Sequence, residues 1–331
     1  MRPVLIAAAL ASLAVAGALP PVSAFSQEEG GDRLQNAPVS WTINADAEQR
    51  AKGKVQLSLS RRADGSHWMH SNTRELAELE GLSLAHLGSE AGGPVHFRFN
   101  RDAGTIDCEG VARRYHGTGE CRFTANSAFS AELSRRGHGS ASEAQLFSLA
   151  LHNLGRDFLD ELGRQGYARA GVAELVRAGG HGVHLDYLRE MGSNGYRVRT
   201  LPALIRMRDH GVTAQYVSDL ARNGLGRLTA EEVVRARDHG ISASFVAAVH
   251  EAGYDELPLA QIIRMRDHGV SAGYLGELRR LGYTGLPAEQ VVRMRDHGVT
   301  GDFIRRANAS GGNRRSPEEL VALRSGGWTG R

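Results

Sequence analysis

The sequence predicts an α+β protein: a small antiparallel β domain followed by an α-solenoid of five to six 29-residue helical hairpins. Three observations predict it. From Val39 to about Phe123, apolar residues alternate with polar ones, the period of half-buried strands. Further along, RMRDHGV at Arg206–Val212 recurs as RARDHGI from Arg235 and as RMRDHGV from Arg264 and Arg293, each start 29 residues after the last. Two other columns keep that step: the aromatic residues Phe158, Tyr187, Tyr216, Phe245, Tyr274 and Phe303, and the glycines Gly166, Gly195, Gly224, Gly253, Gly282 and Gly311.

Taken from the beginning, Arg2 precedes an apolar run from Val4 to Leu19, Pro20 and Pro21 break it, and Val22-Ser23-Ala24 fits a small-x-small cleavage site. Residues 1–24 therefore read as a signal peptide. The run is shorter than the ~20 residues that span a bilayer. The expectation is a periplasmic or secreted chain with no transmembrane segment after cleavage, retention as an anchor being the alternative. Residues 25–37 are polar and Gly-rich and read as a flexible lead. The β domain, 38–130, carries five or six strands: Val55, Leu57 and Leu59 alternate with polar neighbours, as do Phe97 and Phe99, and Ile106 and Cys108. Asp64-Gly65, Gly92-Gly93-Pro94 and Asp102-Ala103-Gly104 punctuate them. Gly104-Thr105-x-Asp107-Cys108 recurs as Gly117-Thr118-x-Glu120-Cys121. Stacked turns of a β-solenoid and facing strands of one hairpin both explain this, and both bring Cys108 to Cys121. Export permits a disulfide between them. A linker, 131–142, leads to the tandem-repeat domain, 143–328.

In each repeat, helix A runs from about Pro202 to His210. Its opening position holds Pro202, Thr229, Pro258, Pro287 and Ser316, with capping-box spacing at Thr229/Glu232 and Ser316/Glu319. Gly211, Gly240, Gly269 and Gly298 follow it, where a positive φ suits a residue without Cβ, and Val212 packs back on Met207. Helix B starts at the N-caps Thr213, Ser242, Ser271 and Thr300. It buries Tyr216, Val217 and Leu220 and ends at Gly224. Isolated helices under ~12 residues are marginal in water, so the hairpins must stack. The first copy, Gln145 to Tyr167, lacks the RDHG signature and suits a capping unit. Gly312 replaces the aromatic at the far end and suits a frayed one.

No HExxH, GxSxG, P-loop or helix-opening GxGxxG is present, so no catalytic residue, cofactor or metal motif is indicated. The reading is a non-catalytic interaction scaffold or sensor accessory. The alternative is an envelope hydrolase or metal-dependent enzyme with its site in the β domain, around Asp102, Asp107, Glu109 and His116. For partner binding the candidates are Arg206, Arg235, Arg264 and Arg293, which point away from the apolar stripe of helix A. Arg208, Arg237, Arg266 and Arg295 flank the core and are expected to pair with Asp209, Asp238, Asp267 and Asp296 between repeats. His181, His210, His239, His268 and His297 stand where a donor meets the last carbonyls of helix A. From Ala141 onward 25 Arg oppose 22 acids, a balance that argues against nucleic acid and leaves a protein or peptide of the envelope as partner.

The order FNRDAGTIDCEG, FTANSAF, LFSLALHNLGRDFLDELGRQGY and tandem MRDHGV hairpins resembles the exported C-terminal extension of bacterial membrane metallopeptidases of the β-lactam-sensor/antirepressor type, over roughly Val95 to Val299. In that family the zinc-binding HExxH lies in a membrane domain. This chain has neither, so no catalytic residue carries over. What the resemblance implies is a sensor or interaction module without its enzyme.

Overall fold

The computed structural model describes residues 38–63, 66–226, 228–311 and 313–327. The expected signal peptide, flexible lead and Asp64-Gly65 turn, with Gly312, lie outside the described residues. The chain divides into two compact units. One runs to Phe99 and takes in Asp107–Arg122; the other comprises Asn100–Ile106 and the chain from Phe123 onward.

Six strands form one antiparallel sheet: β1 (Val39–Asn44), β2 (Lys54–Ala63), β3 (Ser66–Glu75), β4 (Gly93–Arg101), β5 (Gly104–Arg113) and β6 (His116–Ala125), in the order β3-β2-β1-β6-β5-β4. Strand β1 is central because β2 and β6 both pair with it, Trp41 facing Leu59 on one side and Gly119 on the other. The alternation in the sequence is the alternation of burial. Val39, Trp41 and Ile43 are buried, as are Val55, Leu57 and Leu59, and Val95, Phe97 and Phe99. Trp41 meets the edge of Phe97 at 5.0 Å between ring centroids. The recurring Gly-Thr-x-acid-Cys segments are facing strands of the β5–β6 hairpin, not stacked turns of a solenoid. Cys108 and Cys121 face each other with Cα atoms 4.0 Å apart and sulfurs at disulfide distance, 2.04 Å.

Three short elements escape the period-two reading. Helix α1 (Ala47–Ala51) follows a capping box of Asp46 and Gln49. A 3-10 turn (Leu76–Glu78) and helix α2 (Leu84–Gly88) lie between β3 and β4, burying Leu79, Leu82 and Leu87.

Helix α3 (Ser127–Arg135) replaces the end of the expected β domain and the start of the expected linker. The Asn126 side chain accepts from the Ala128 N–H at its start, and Phe129 and Leu133, one helical turn apart, are buried. An i, i+4 apolar pair in so short a segment is too little to show as periodicity.

The repeats follow without a slip. A helices are α4 (Glu143–Leu151), α6 (Val172–Gly180), α8 (Leu201–Asp209), α10 (Ala230–Asp238), α12 (Leu259–Asp267), α14 (Ala288–Asp296) and α16 (Pro317–Ser325). B helices are α5 (Arg156–Arg164), α7 (Leu185–Ser193), α9 (Ala214–Arg222), α11 (Ala243–Glu251), α13 (Ala272–Arg280) and α15 (Gly301–Gly311). Starts in each series are 29 residues apart. A helices neighbour A helices and B helices neighbour B helices, giving two layers with the apolar stripes between them. Gly211, Gly240, Gly269 and Gly298 have φ of 67°, 64°, 74° and 69°. The Val212 N–H donates to Met207 O and the Gly211 N–H to Arg208 O, the paired bonds of a Schellman ending.

One expected column is corrected. Thr200, not Pro202, is the N-cap in register with Thr229, Pro258, Pro287 and Ser316, and Pro202 sits inside the first turn. Pro258 and Pro287 are themselves N-caps and have no side-chain cap bond. The extended φ and ψ of that position suit a proline as well as the first helical turn does.

Candidate interaction surface

The 29-residue step places every equivalent residue on the same face of successive helices, so a column in the sequence is a row on the surface. Arg206, Arg235, Arg264 and Arg293 all stand exposed on the A layer. The row begins one repeat earlier than the RDHG signature, at exposed Arg177 on α6, because VRAGG keeps this arginine but not the signature. Neutralisation along the row is uneven. Arg206 holds Glu231 of the next A helix with two bonds, Nε at 2.9 Å and Nη2 at 3.0 Å. The Glu231 hydrogen bond raises the pKa of Arg206, and the same bond lowers that of Glu231. Arg264 repeats the contact with Glu289 at 3.0 Å. Beside Arg235 the matching position is Ala260, so its row partner is missing. At Arg293 the matching Glu318 accepts from Gln290 instead. Arg293 also lines a shallow groove between α14 and α16, with Pro287, Gln290, Pro317 and Val321.

The second arginine set does bridge repeats, but not to aspartate. Arg208, Arg237, Arg266 and Arg295 lie over the rings of Tyr187, Tyr216, Phe245 and Tyr274 in the preceding B helix, 4.9, 5.1, 5.5 and 5.3 Å from guanidinium carbon to centroid. Arg324 continues the row over Phe303 at 5.4 Å. Histidine takes the aspartates. His181, His210, His239 and His268 donate from Nδ1 to Asp209, Asp238, Asp267 and Asp296 at 2.7, 2.8, 2.8 and 2.9 Å. His297 meets Ser325 Oγ at 3.0 Å. Each histidine thus reaches the next repeat, not the carbonyls of its own helix. The buried Tyr187 and Tyr216 hydroxyls donate to Val212 O and Ile241 O, both at 2.9 Å. The rings from Tyr187 to Phe303 therefore lie under arginine, and Tyr187 and Tyr216 also hydrogen-bond the next interhelical turn with their tips.

The aromatic column that Leu225 interrupts and Gly312 ends carries bonds that its spacing did not announce. Tyr196 and Tyr283 donate to Leu228 O at 3.1 Å and Arg315 O at 2.7 Å, each 32 residues ahead, and Tyr254 donates likewise to Leu286 O.

The candidates of the β domain do not converge as one group. Asp102 Oδ2 accepts from the Arg156 N–H at 2.7 Å. It caps α5 from a distance, because the N-cap residue there is Gly155, which has no side chain. His116 opens β6 opposite Asn44. Asp107 and Glu109 share one face of β5, and the histidine beside them is His96 of β4, at 2.8 Å from Asp107.

Compared with protein-family models, curated proteins and solved structures, the chain matches none. The resemblance to the exported peptidase extension rests on the quoted strings alone.

Among the described residues no helix is long and apolar enough to cross a membrane.

Proposed function

We propose that the protein is an exported, non-catalytic interaction scaffold of the bacterial envelope that binds an acidic protein or peptide along the A layer of its helical array. The observation that carries this reading is the exposed arginine row, Arg177 to Arg293, at a constant spacing and with Arg235 lacking a row partner. Planar guanidinium groups suit bidentate contact with carboxylates. Export rests on the signal-like first 24 residues, and N-terminal sequencing of protein recovered from the envelope should begin at Phe25.

The test is binding of a fluorescent acidic peptide, poly-glutamate, across a salt series. Replacing Arg206, Arg235, Arg264 and Arg293 by Gln should weaken binding by at least about tenfold and flatten its salt dependence. Equal affinity and equal salt dependence for the variant and the parent would reject the arginine row as the binding surface.

A further inference from the structure

Asp107 and Glu109 are two residues apart on β5 and project from the face opposite the buried Ile106 and Cys108. On the neighbouring strand β4, His96 brings its Nε2 to 2.8 Å from Asp107 Oδ1. One ligand atom from each of His96, Asp107 and Glu109 lies within 4.8 Å of the other two. The frame beneath them is fixed. The Cys108–Cys121 pair ties β5 to β6, and Trp41 Nε1 donates to Glu109 O at 3.0 Å, holding the backbone from which the carboxylate projects. In the register set by the cysteine pair, Glu109 stands opposite Glu120, and like charges directly across a ladder repel. Among the described residues no lysine or arginine forms an ion pair with Asp107, Glu109 or Glu120. The same register sets Arg122 opposite Asp107, so negative charge is concentrated at Glu109 and Glu120, with the His96 imidazole beside it.

We propose that His96, Asp107 and Glu109 bind one divalent transition-metal ion of the Zn2+ class, with water completing the coordination. Zinc bonds of ~2.0–2.2 Å in tetrahedral geometry place ligand atoms about 3.3 Å apart. Small rotations of these solvent-facing side chains bring them from their present spacing to that value. The imidazole nitrogen selects against calcium, which takes 6–8 oxygens, and against magnesium, which demands octahedral oxygen ligands. The ion would also relieve the Glu109–Glu120 repulsion. No sequence motif announces the site, because His96 reaches it from the neighbouring strand.

The test is calorimetric titration of the untagged full chain with Zn2+, and with Co2+ followed by its visible absorption. The comparison is the triple variant His96→Ala, Asp107→Asn, Glu109→Gln, together with His96→Ala alone. The unmodified chain should bind one more equivalent of Zn2+ than the triple variant. It should also develop a Co2+ band that the triple variant lacks. His96→Ala should weaken the extra binding event at least tenfold and keep the melting temperature of the metal-free protein. Identical stoichiometry and affinity in parent and His96→Ala would overturn the proposal, whether or not the triple variant folds.

Discussion

Trp41 in the sheet meets three glycines that no other part of the chain supplies, whereas Tyr216 in the helical array has counterparts in almost every repeat. A Cβ on Gly110, Gly117 or Gly119 would come within 2.6, 2.9 or 2.7 Å of the Trp41 indole, which is fully buried. The sheet thus depends on one large ring and three residues without side chains, all distant in sequence. In the array the aromatic ring, the arginine over it, the histidine–aspartate bond and the glycine cap recur in most repeats. Loss of one is met by intact copies on either side. Damage should therefore be concentrated in the sheet and graded in the array.

Alkaline pH strikes several repeats at once and should produce the largest effect. Burial raises the phenol of Tyr216 to about 12 and pushes Tyr187 and Tyr274 higher still, while an unfolded tyrosine ionises near ~10. A folded value above the unfolded one means stability is fully present below pH ~10 and falls as pH rises from there through about 12. Melts followed at 222 nm from pH 8 to 12 should show this decline. A melting temperature unchanged across that range would mean that these phenols are not buried in solution.

Trp41→Ala tests the other half of the contrast. It should cost about 3–5 kcal/mol, the range for a fully buried large aromatic. Urea unfolding should then show the sheet melting before the helices; a loss below about 1 kcal/mol would mean that the glycine cradle closes around the gap. Next in size, Cys108→Ser with Cys121→Ser should cost about 3 kcal/mol for a loop with a sequence separation of 13. That loss should appear in the sheet transition only, and a shift in the helical transition would contradict the division into units.

Gly211→Val should cost about 1–2 kcal/mol from the left-handed backbone alone. The nearest atoms to its new Cβ, in the Arg237 side chain, are 3.8 Å away, so sterics add little. Because stacked repeats share interfaces, hydrogen-exchange protection should fall in α9 and α10 as well as α8. An unaltered melt would remove the cap assignment. Smallest of all, each change of Arg206, Arg235, Arg264 or Arg293 to Gln should stay within ~0.5 kcal/mol, as exposed substitutions do. Arg237→Gln, which uncovers the Tyr216 ring, should cost more than Arg235→Gln; the reverse order would mean the two faces are exchanged.

The array was legible because its period is a direct readout of equivalent positions. Pro202 misled only where one proline stood two residues out of register. The partners were less legible. Periodicity says that all the histidines are alike and all the aspartates are alike, but not that His210 reaches Asp238 across a helical seam. Any two columns share the same step, so which columns touch is decided by how neighbouring helices cross. The same limit hid Asp102, whose role depends on the distant amide of Arg156. It also hid His96, which joins Asp107 only through strand pairing.

The constant chain offset of every seam contact has a genetic consequence. Excising Thr213 through Ile241 in frame would bring His210 opposite Asp267, and each remaining ring would again find its guanidinium cover. The seams are interchangeable, so recombination between near-identical stretches can lengthen or shorten the protein by whole turns of the array without creating a mismatched junction. Copy number then becomes a heritable dial on reach, adjustable without inventing a single new contact.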